Sequence, residues 1–245
     1  MAGFIYVVGI GPGKEDGITK EAENVLQQSD IIAGYKTYID LVRDRFSDKE
    51  FFENGMTKEL ERCRKCIDFA LEGKNVALIG SGDSGVYGMA SPMLEEAKKV
   101  GFDKVKVIPG VTAALSGGAL LGAPVGHDFA VISLSDRLTS WELIEKRLRL
   151  AAEAHFVMVL YNPSSHKRKD YLKKACDIVL EVLPEEICCG IARNIGRDGQ
   201  ETEIMTLREL RDTEVDMFTT VFIGNLDTRN FGDYMVTLRG YREDL

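Results

Sequence analysis

The stretch Leu78-Ile79-Gly80-Ser81-Gly82-Asp83-Ser84-Gly85-Val86-Tyr87-Gly88 decides the fold. It begins inside an apolar run, Val76-Ala77-Leu78-Ile79, and passes into a loop with four glycines. A helical pattern follows over residues 89–100. Strand, glycine loop, helix is how an α/β sheet builds a ligand crevice at the carboxyl end of its strands. Glycine permits positive φ and lets a ligand approach the backbone. Asp83 adds one carboxylate to the loop and Tyr87 one aromatic face. An ordinary turn has the same glycines, so the loop takes its weight from what surrounds it.

Upstream, Phe4-Ile5-Tyr6-Val7-Val8-Gly9-Ile10 is continuously apolar, the pattern of a strand buried on both faces of a parallel sheet. Gly11-Pro12-Gly13 follows it. Thr19 is a suitable N-cap, with Glu21 and Glu23 in the first turn of a helix reaching residue 28. Ile31-Ile32-Ala33 reads as a strand, residues 35–42 as a helix, and residues 57–73 as an amphipathic helix that Gly73 ends. Leu60, Cys63, Ile67, Ala70 and Leu71 form its apolar stripe. Residues 105–108 are a strand closed by Pro109-Gly110, and residues 111–121 a small, glycine-rich helix packed closely on backbone or ligand.

Gly122-Ala123-Pro124-Val125-Gly126 reads as a boundary, after which the alternation restarts. Strands are expected over 129–134, 156–161, 187–192 and 219–223. Helices carry Trp141, Ile144, Leu148 and Ala151, then Tyr171, Leu172, Ala175, Cys176 and Val179, and a short one covers 206–211. The expectation is an α/β protein of two α/β domains, 1–122 and 123–245, each about 120 residues.

With 245 residues, 44% hydrophobic and 29% charged, the chain has ordinary globular composition. No apolar run approaches the ~18 residues of a membrane span. The start, Met1-Ala2-Gly3-Phe4-Ile5, has no basic region and no hydrophobic segment of signal form, so a soluble, cytoplasmic protein is expected. The net charge of −8 argues against a nucleic-acid partner, whose phosphates call for a basic surface. Five cysteines do not read as a disulfide framework. Cys63-x-x-Cys66 has metal or redox spacing, but its place on an apolar stripe favours a core. No second spaced pair completes a ligand set with Cys188-Cys189, so no metal is expected.

The first loop, Gly9-Ile10-Gly11-Pro12-Gly13-Lys14, has Lys14 where a dinucleotide fingerprint needs glycine. Pro12 has no N–H for a pyrophosphate, and no Gly-Lys-Ser/Thr loop occurs anywhere. Two glycine loops without phosphate chemistry point to a phosphate-free nucleoside such as S-adenosylmethionine (SAM). Asp83 could balance its cation or bind a hydroxyl or ammonium group. The other reading is that Gly11-Pro12-Gly13 is only a rigid turn.

Gly9-x-Gly11-Pro12-Gly13, the Gly82-Asp83 loop and Pro109-Gly110-Val111-Thr112-Ala113 stand in an order and spacing that resemble the tetrapyrrole (corrin/porphyrin) methylase family across the whole chain. Three segments resemble more closely its branch acting at carbon-17 of precorrin-3B or cobalt-factor III. They are Gly82-Asp83-Ser84-Gly85-Val86-Tyr87-Gly88-Met89-Ala90, Gly126-His127-Asp128-Phe129 with its continuation through Ser135-Asp136-Arg137, and Arg193-Asn194-Ile195-Gly196-Arg197. Asp83-Ser84 stands where many relatives have Asp-Pro, a departure that branch shares.

The resemblance implies a SAM-dependent methyltransferase of cobalamin biosynthesis that also contracts the ring, with cofactor and substrate between two domains and a homodimeric assembly. By motif position it assigns the cofactor to Pro12, Ser81, Gly82, Asp83, Val86, Thr112 and Ala113, and in the second domain to Tyr161, Asn162, Ala192 and Thr220. A tetrapyrrole carries acetates and propionates, so its site needs cations. Arg137 and Arg193, in loops, are the first candidates, beside Ser84 and Tyr87 in the glycine loop. Lys167-Arg168-Lys169 and Arg197 also follow strand ends, although the triplet reads equally as a solvated helix start. Asp83, His127 and Asp136 are the candidates for proton transfer during contraction, with Asp128 beside them. His127 with Asp128 also reads as a structural link, and His155 and His166 as surface residues.

Methyl transfer itself needs mainly alignment, which supplies up to ~7–11 kcal/mol for well-oriented pairs. Asp83→Ala is expected to weaken binding with little loss of fold, and Gly82→Val to do more harm. Three other readings stay open: methylation at another macrocycle carbon, a nicotinamide-dependent oxidoreductase, and a non-catalytic tetrapyrrole-binding module. Superfamily relatives that modify ribosomal RNA or a translation factor are disfavoured by the acidic balance and by Ser84.

Overall fold

The structure is a computed structural model that describes residues 1–13, 15–165 and 168–241. Lys14 at the fingerprint position, His166 and the cation Lys167 lie outside the described residues. The chain divides into two compact units, Met1–Thr112 and Ala113–Leu245.

In the first unit β1 (Ile5–Gly9), β2 (Ile31–Tyr35), β3 (Glu50–Asn54), β4 (Val76–Gly80) and β5 (Val105–Ile108) form a sheet in the order β3-β2-β4-β1-β5. Every pairing is parallel. The apolar runs of β1 and β4 exist because helices cover both faces. On one side α1 (Lys20–Gln28) and the short α2 (Lys36–Ile39) bring Ala22, Leu26 and Ile39 against Val8, Ile32, Ala77 and Ile79. On the other, α3 (Glu59–Leu71) and α4 (Ala90–Lys99) bring Cys63, Cys66, Ile67, Ala70 and Met93 against Ile5, Val7, Ala33 and Leu78. All five residues of β4 are buried, and each large one contributes about 1.5–3 kcal/mol by leaving water.

Chain order then creates a crevice. The chain leaves β1 through α1 for β2, on one side of the β4–β1 pair, and leaves β4 through α4 for β5, on the other. Adjacent strands whose connections part in this way are a topological switch point, where open α/β sheets bind ligands. The loops after β1 and β4 are the two glycine loops.

Local signals behave as chemistry dictates. The Thr19 hydroxyl accepts from the Ala22 N–H at 3.2 Å, capping α1. Gly73, at φ +95°, follows the end of α3. That helix starts only at Glu59, because Thr57 has a left-handed backbone, φ +71°. Its stripe also differs: Leu60 and Leu71 are exposed, and Cys66 is buried in their stead. The helix expected over 35–42 shortens to α2 and runs on as turns that bury Val42 and Phe46. Strand β3 was not foreseen, since its Glu-Phe-Phe-Glu-Asn sequence lies at the sheet edge and pairs only with β2.

The second unit begins with α5 (Ala113–Leu121) and β6 (Gly122–Ala123). Its division from the first falls ahead of the Gly122 to Gly126 stretch because α5 packs on the second sheet. A Cβ on Gly117 would come within 2.9 Å of Ile195 Cδ1, and Ala114 and Leu121 share a core with Phe222. That sheet contains β7 (Phe129–Ser133), β8 (Val157–Tyr161), β9 (Cys188–Arg193), β10 (Glu201–Thr206) and β11 (Thr219–Ile223), in the order β10-β9-β11-β8-β7. Only β7 and β8 pair in parallel; the other neighbours are antiparallel. Helices α6 (Trp141–Glu153), α7 (Tyr171–Leu180) and α8 (Leu207–Arg211) bury Ile144, Leu148, Leu172, Cys176, Val179 and Leu210 on one face. A hairpin of β12 (Thr228–Phe231) and β13 (Tyr234–Thr237) pairs with β6, and its Met235 joins the core on the opposite face. Strand β10 and the hairpin were not foreseen from sequence; β10 and β12 open on three polar residues each and are largely exposed, and β13 is only four residues long.

Candidate functional site

In the first unit three strand ends meet through glycine backbones. Gly11 and Gly82 exchange hydrogen bonds, Gly82 N–H to Gly11 O at 2.7 Å and Gly11 N–H to Gly82 O at 3.1 Å. Both have left-handed φ, +73° and +70°. A Cβ on Gly9 would lie 2.6 Å from Gly82 O, and one on Gly110 only 2.2 Å from the same atom. These glycines therefore serve one another: without them the loops after β1, β4 and β5 could not come together. The Ser81 hydroxyl donates to Gly11 O at 3.4 Å, and a Cβ on Gly17 would meet the Pro12 ring at 2.8 Å, so Pro12 seats the turn that follows β1. Gly80 differs from the rest. It is buried, yet a Cβ placed on it meets no atom within 4 Å. The crest of the central strand thus presents bare backbone.

Asp83 ties two of these loops together. Its Oδ1 accepts the N–H groups of Gly85 and Val86 at 2.8 and 3.2 Å, and its Oδ2 accepts the Gly110 N–H at 2.9 Å. The carboxylate is a brace for the β4 and β5 loops, and removing it strands three amide donors. The expectation that Asp83→Ala spares the fold does not survive this geometry. Ser84 is also turned inward: it is 1% exposed, and its hydroxyl donates to Ile108 O at 3.1 Å. The side chain assigned to substrate from sequence instead fastens the loop to β5. Tyr87 is exposed on a left-handed backbone, φ +53°, and Thr112 is half-buried at the end of the unit.

The second unit gathers its candidates at one sheet edge. Strands β8 and β9 run the same way, so Tyr161, Asn162, Ala192 and Arg193 sit at their carboxyl ends, with Thr220 opposite Ala192 on β11. The Tyr161 hydroxyl accepts the Ala114 N–H at 2.7 Å and so caps the start of α5, one residue after Ala113. Asn162, at φ +54°, donates from Nδ2 to the Ser133 hydroxyl at 2.9 Å. Ala192 and Thr220 are buried, 0% and 6% exposed. Arg193 is engaged by Glu201 at 2.9 Å and by the Glu214 carbonyl at 2.5 Å. Arg197 lies over the Phe218 ring, 5.4 Å from its centroid.

Asp136 belongs to a network that sequence reasoning did not foresee. It accepts from the Tyr171 hydroxyl at 2.5 Å and from Arg168 Nη1 at 2.8 Å. These two donors, the hydroxyl first, hold its carboxyl below the usual range. An anion so held is a weaker proton acceptor than a free carboxylate. The same bond pushes the Tyr171 hydroxyl upward. Arg137, next along the loop, is exposed. His127 does not join this group. It precedes β7, at the end opposite Tyr161, roughly 16 Å away at ~3.3 Å per residue over the five-residue strand. There it stands exposed, its Nδ1 accepting the Asp128 N–H at 2.8 Å.

Cys63, Cys66, Cys176 and Cys189 are buried free thiols, and Cys188 is half-buried. Desolvation pushes the Cys63 thiol up to about 12. Among the described residues no group of three or more His, Cys, Asp or Glu is arranged to hold a metal ion, and no helix is long and apolar enough to cross a membrane.

Residues 5–211 match the family model of the Tetrapyrrole (Corrin/Porphyrin) Methylases. The chain is 44% identical over 239 residues to a probable cobalt-factor III C(17)-methyltransferase of Salmonella typhimurium, covering 97% of this chain and 99% of that one. It is 42% identical to the cobalt-factor III methyltransferase of Priestia megaterium over 99% of its own length but 46% of that protein's, so it spans about half of that relative. Among solved structures it is similar to the methyltransferase CobJ, with a TM-score of 0.90 and 34% identity over 97% of this chain and 100% of that one. The glycine crest, the two α/β units and these matches agree: the chain belongs to the tetrapyrrole (corrin/porphyrin) methylase family.

Proposed function

We propose that this chain is a SAM-dependent methyltransferase acting on carbon-17 of cobalt-factor III, or of its cobalt-free counterpart precorrin-3B, with ring contraction, in cobalamin biosynthesis. The observation that carries the cofactor reading is the bare backbone at Gly80, buried yet open in its Cβ direction, beside the left-handed Gly82. Such a crest suits a ligand held through main-chain groups. The donors present do not suit a phosphate: Pro12 has no N–H, Asp83 already accepts the loop amides, and Tyr161 takes the Ala114 N–H at the start of α5. A nucleoside without phosphates fits these groups better than a dinucleotide.

When bound, the cofactor supplies an electrophilic methyl group on a sulfonium. The residues offered to it in the first unit are Pro12, Ser81, Gly82, Val86 and Thr112. In the second they are Ala113, Tyr161, Asn162, Ala192 and Thr220. Ala192 and Thr220 are buried, so in this reading they contribute backbone and shape. The chain's own work is to hold donor and acceptor in line. Asp83 keeps the loops in register for that purpose and does not itself move a proton.

The direct test is incubation of the purified chain with SAM and, in parallel, cobalt-factor III or precorrin-3B. A product heavier by one methyl group, located at carbon-17 by NMR, is expected. A folded protein that binds S-adenosylhomocysteine and forms no methylated product refutes the reading, and tighter binding of NADPH in the same calorimeter would favour an oxidoreductase. The proposal includes a cytoplasmic homodimer that holds no nucleic acid, and light scattering at twice the 27.2 kDa chain mass checks the dimer.

A further inference from the structure

The loops that follow β7 and β8 are joined by one arginine. Arg168 donates from Nε to the Ser165 hydroxyl at 3.1 Å, and from Nη1 to the Ser135 hydroxyl at 3.0 Å and to Asp136 Oδ1 at 2.8 Å. Asp136 is held in turn by the Tyr171 hydroxyl, and Tyr171 packs on Trp141 with ring centroids 4.7 Å apart. Three acceptors therefore fix the plane of the guanidinium. Its Nη2 edge, with two N–H groups, makes no hydrogen bond among the described residues. The side chain keeps 21% of its surface exposed, so the fork is oriented but not sealed.

Two further observations make this more than a structural ion pair. The first is connection. The Ser133 hydroxyl accepts from Asn162 Nδ2 at 2.9 Å and from the Ser135 N–H at 3.2 Å, and Ser135 accepts from Arg168. The arginine is thus linked by short hydrogen bonds to Asn162, at the strand edge proposed for the cofactor. The second is charge. Asp136 offsets Arg168, and Asp170 offsets Lys174 at 2.8 Å, while Arg137 and Lys169 have no acidic partner among the described residues. The loop cluster is locally positive in a chain of net charge −8.

We propose that Arg168, held in plane by Ser135, Asp136 and Ser165, takes a peripheral carboxylate of the tetrapyrrole through its Nη2 edge, with Arg137 as the second cation of the same anchor. A preset guanidinium loses little freedom on pairing, and its fork matches a carboxylate. Asp136 is in this scheme a positioning residue, acting on substrate only through Arg168. The inference rests on the tetrapyrrole substrate proposed above.

The test uses the full chain and the variants Arg168→Ala, Arg168→Lys and Asp136→Asn. The readouts are steady-state kinetics with cobalt-factor III varied, dissociation constants for S-adenosylhomocysteine by calorimetry, and thermal melting. Arg168→Ala is expected to raise KM for the tetrapyrrole about ten- to a hundredfold, as loss of a charged hydrogen-bonded pair does, with S-adenosylhomocysteine affinity within about twofold of wild type. Arg168→Lys restores part of the loss, and Asp136→Asn raises KM less than Arg168→Ala.

A substrate analogue with esterified carboxyl groups separates anchoring from mere architecture, because it should bind wild type and Arg168→Ala equally. Unchanged KM in Arg168→Ala, or equal loss of affinity for the esterified analogue, overturns the anchor. If wild type binds the tetrapyrrole without methylating it, the proposed reaction fails, while direct binding to wild type and Arg168→Ala still decides the anchor. If wild type does not bind it at all, both fail.

Discussion

Asp83 accepts three backbone N–H groups on two loops, and this fixes what substitution there must do. Asparagine has the same shape but only one acceptor oxygen. Whichever way it is turned, its NH2 faces either the Gly110 N–H or those of Gly85 and Val86. Asp83→Asn is therefore expected to lower stability by about 1–3 kcal/mol, the cost of leaving such a donor unsatisfied. It should also weaken S-adenosylhomocysteine binding about tenfold, because the loops proposed to hold it lose their brace. Denaturant unfolding and calorimetry read the two effects. Native stability together with weakened binding would assign Asp83 to direct ligand contact instead. At the same scale Ser84 shows why residue type alone misassigns a role. Serine after a glycine turn is compatible with either ligand or framework, and only its 1% exposure and its bond to Ile108 O decide for framework.

Among the elements, α5 shows how a helix of low polarity is held at its start. In its sequence Ala-Ala-Leu-Ser-Gly-Gly-Ala-Leu-Leu the first turn is wholly apolar, and the Tyr161 hydroxyl from β8 takes the Ala114 N–H at 2.7 Å. Tyr161→Phe removes that acceptor and keeps the ring. A loss of about 1 kcal/mol is expected, comparable to losing an N-cap, measurable as a lower urea midpoint at unchanged m-value. An unchanged midpoint would mean that water takes over the N–H. Neighbouring strands make a contrast in legibility. Strands β1 and β4, buried on both faces, stand out as unbroken apolar runs. The edge strands β3 and β10 carry glutamates and bury little, so periodicity has nothing to register. Their pairing is decided by the neighbour that accepts them.

For the whole molecule, acid is the condition to which the charge arrangement responds. Asp136 is held low by Tyr171 and Arg168, Glu96 by Lys99 and Arg64, and Glu181 by Arg149. A carboxyl whose folded pKa lies below its unfolded value stabilises the fold fully above the unfolded value, near 4. That stabilisation fades as pH falls through the lower folded value. The melting temperature is therefore expected to hold between about pH 7 and 5 and to fall below about pH 4, less steeply at high salt because most of these pairs are exposed. Circular dichroism melts across that range check it, and a melting temperature that stays level down to pH 3 would contradict it.

Read as sequence, the chain already showed its α/β class, the order of its main strands and helices, and the two glycine loops, because burial on both faces writes itself as apolar runs and a tight strand-to-helix turn writes itself as glycine. It also showed Tyr161, Asn162, Ala192 and Arg193 at strand ends. It could not show that Gly9, Gly82 and Gly110 serve one another, that Asp83 and Ser84 face inward, or that Asp136 belongs to Arg168 while His127 stands at the far end of β7. Those facts depend on which strand ends meet and which way each side chain turns. Contacts between residues far apart in the chain decide both, and no local pattern of residue types contains them.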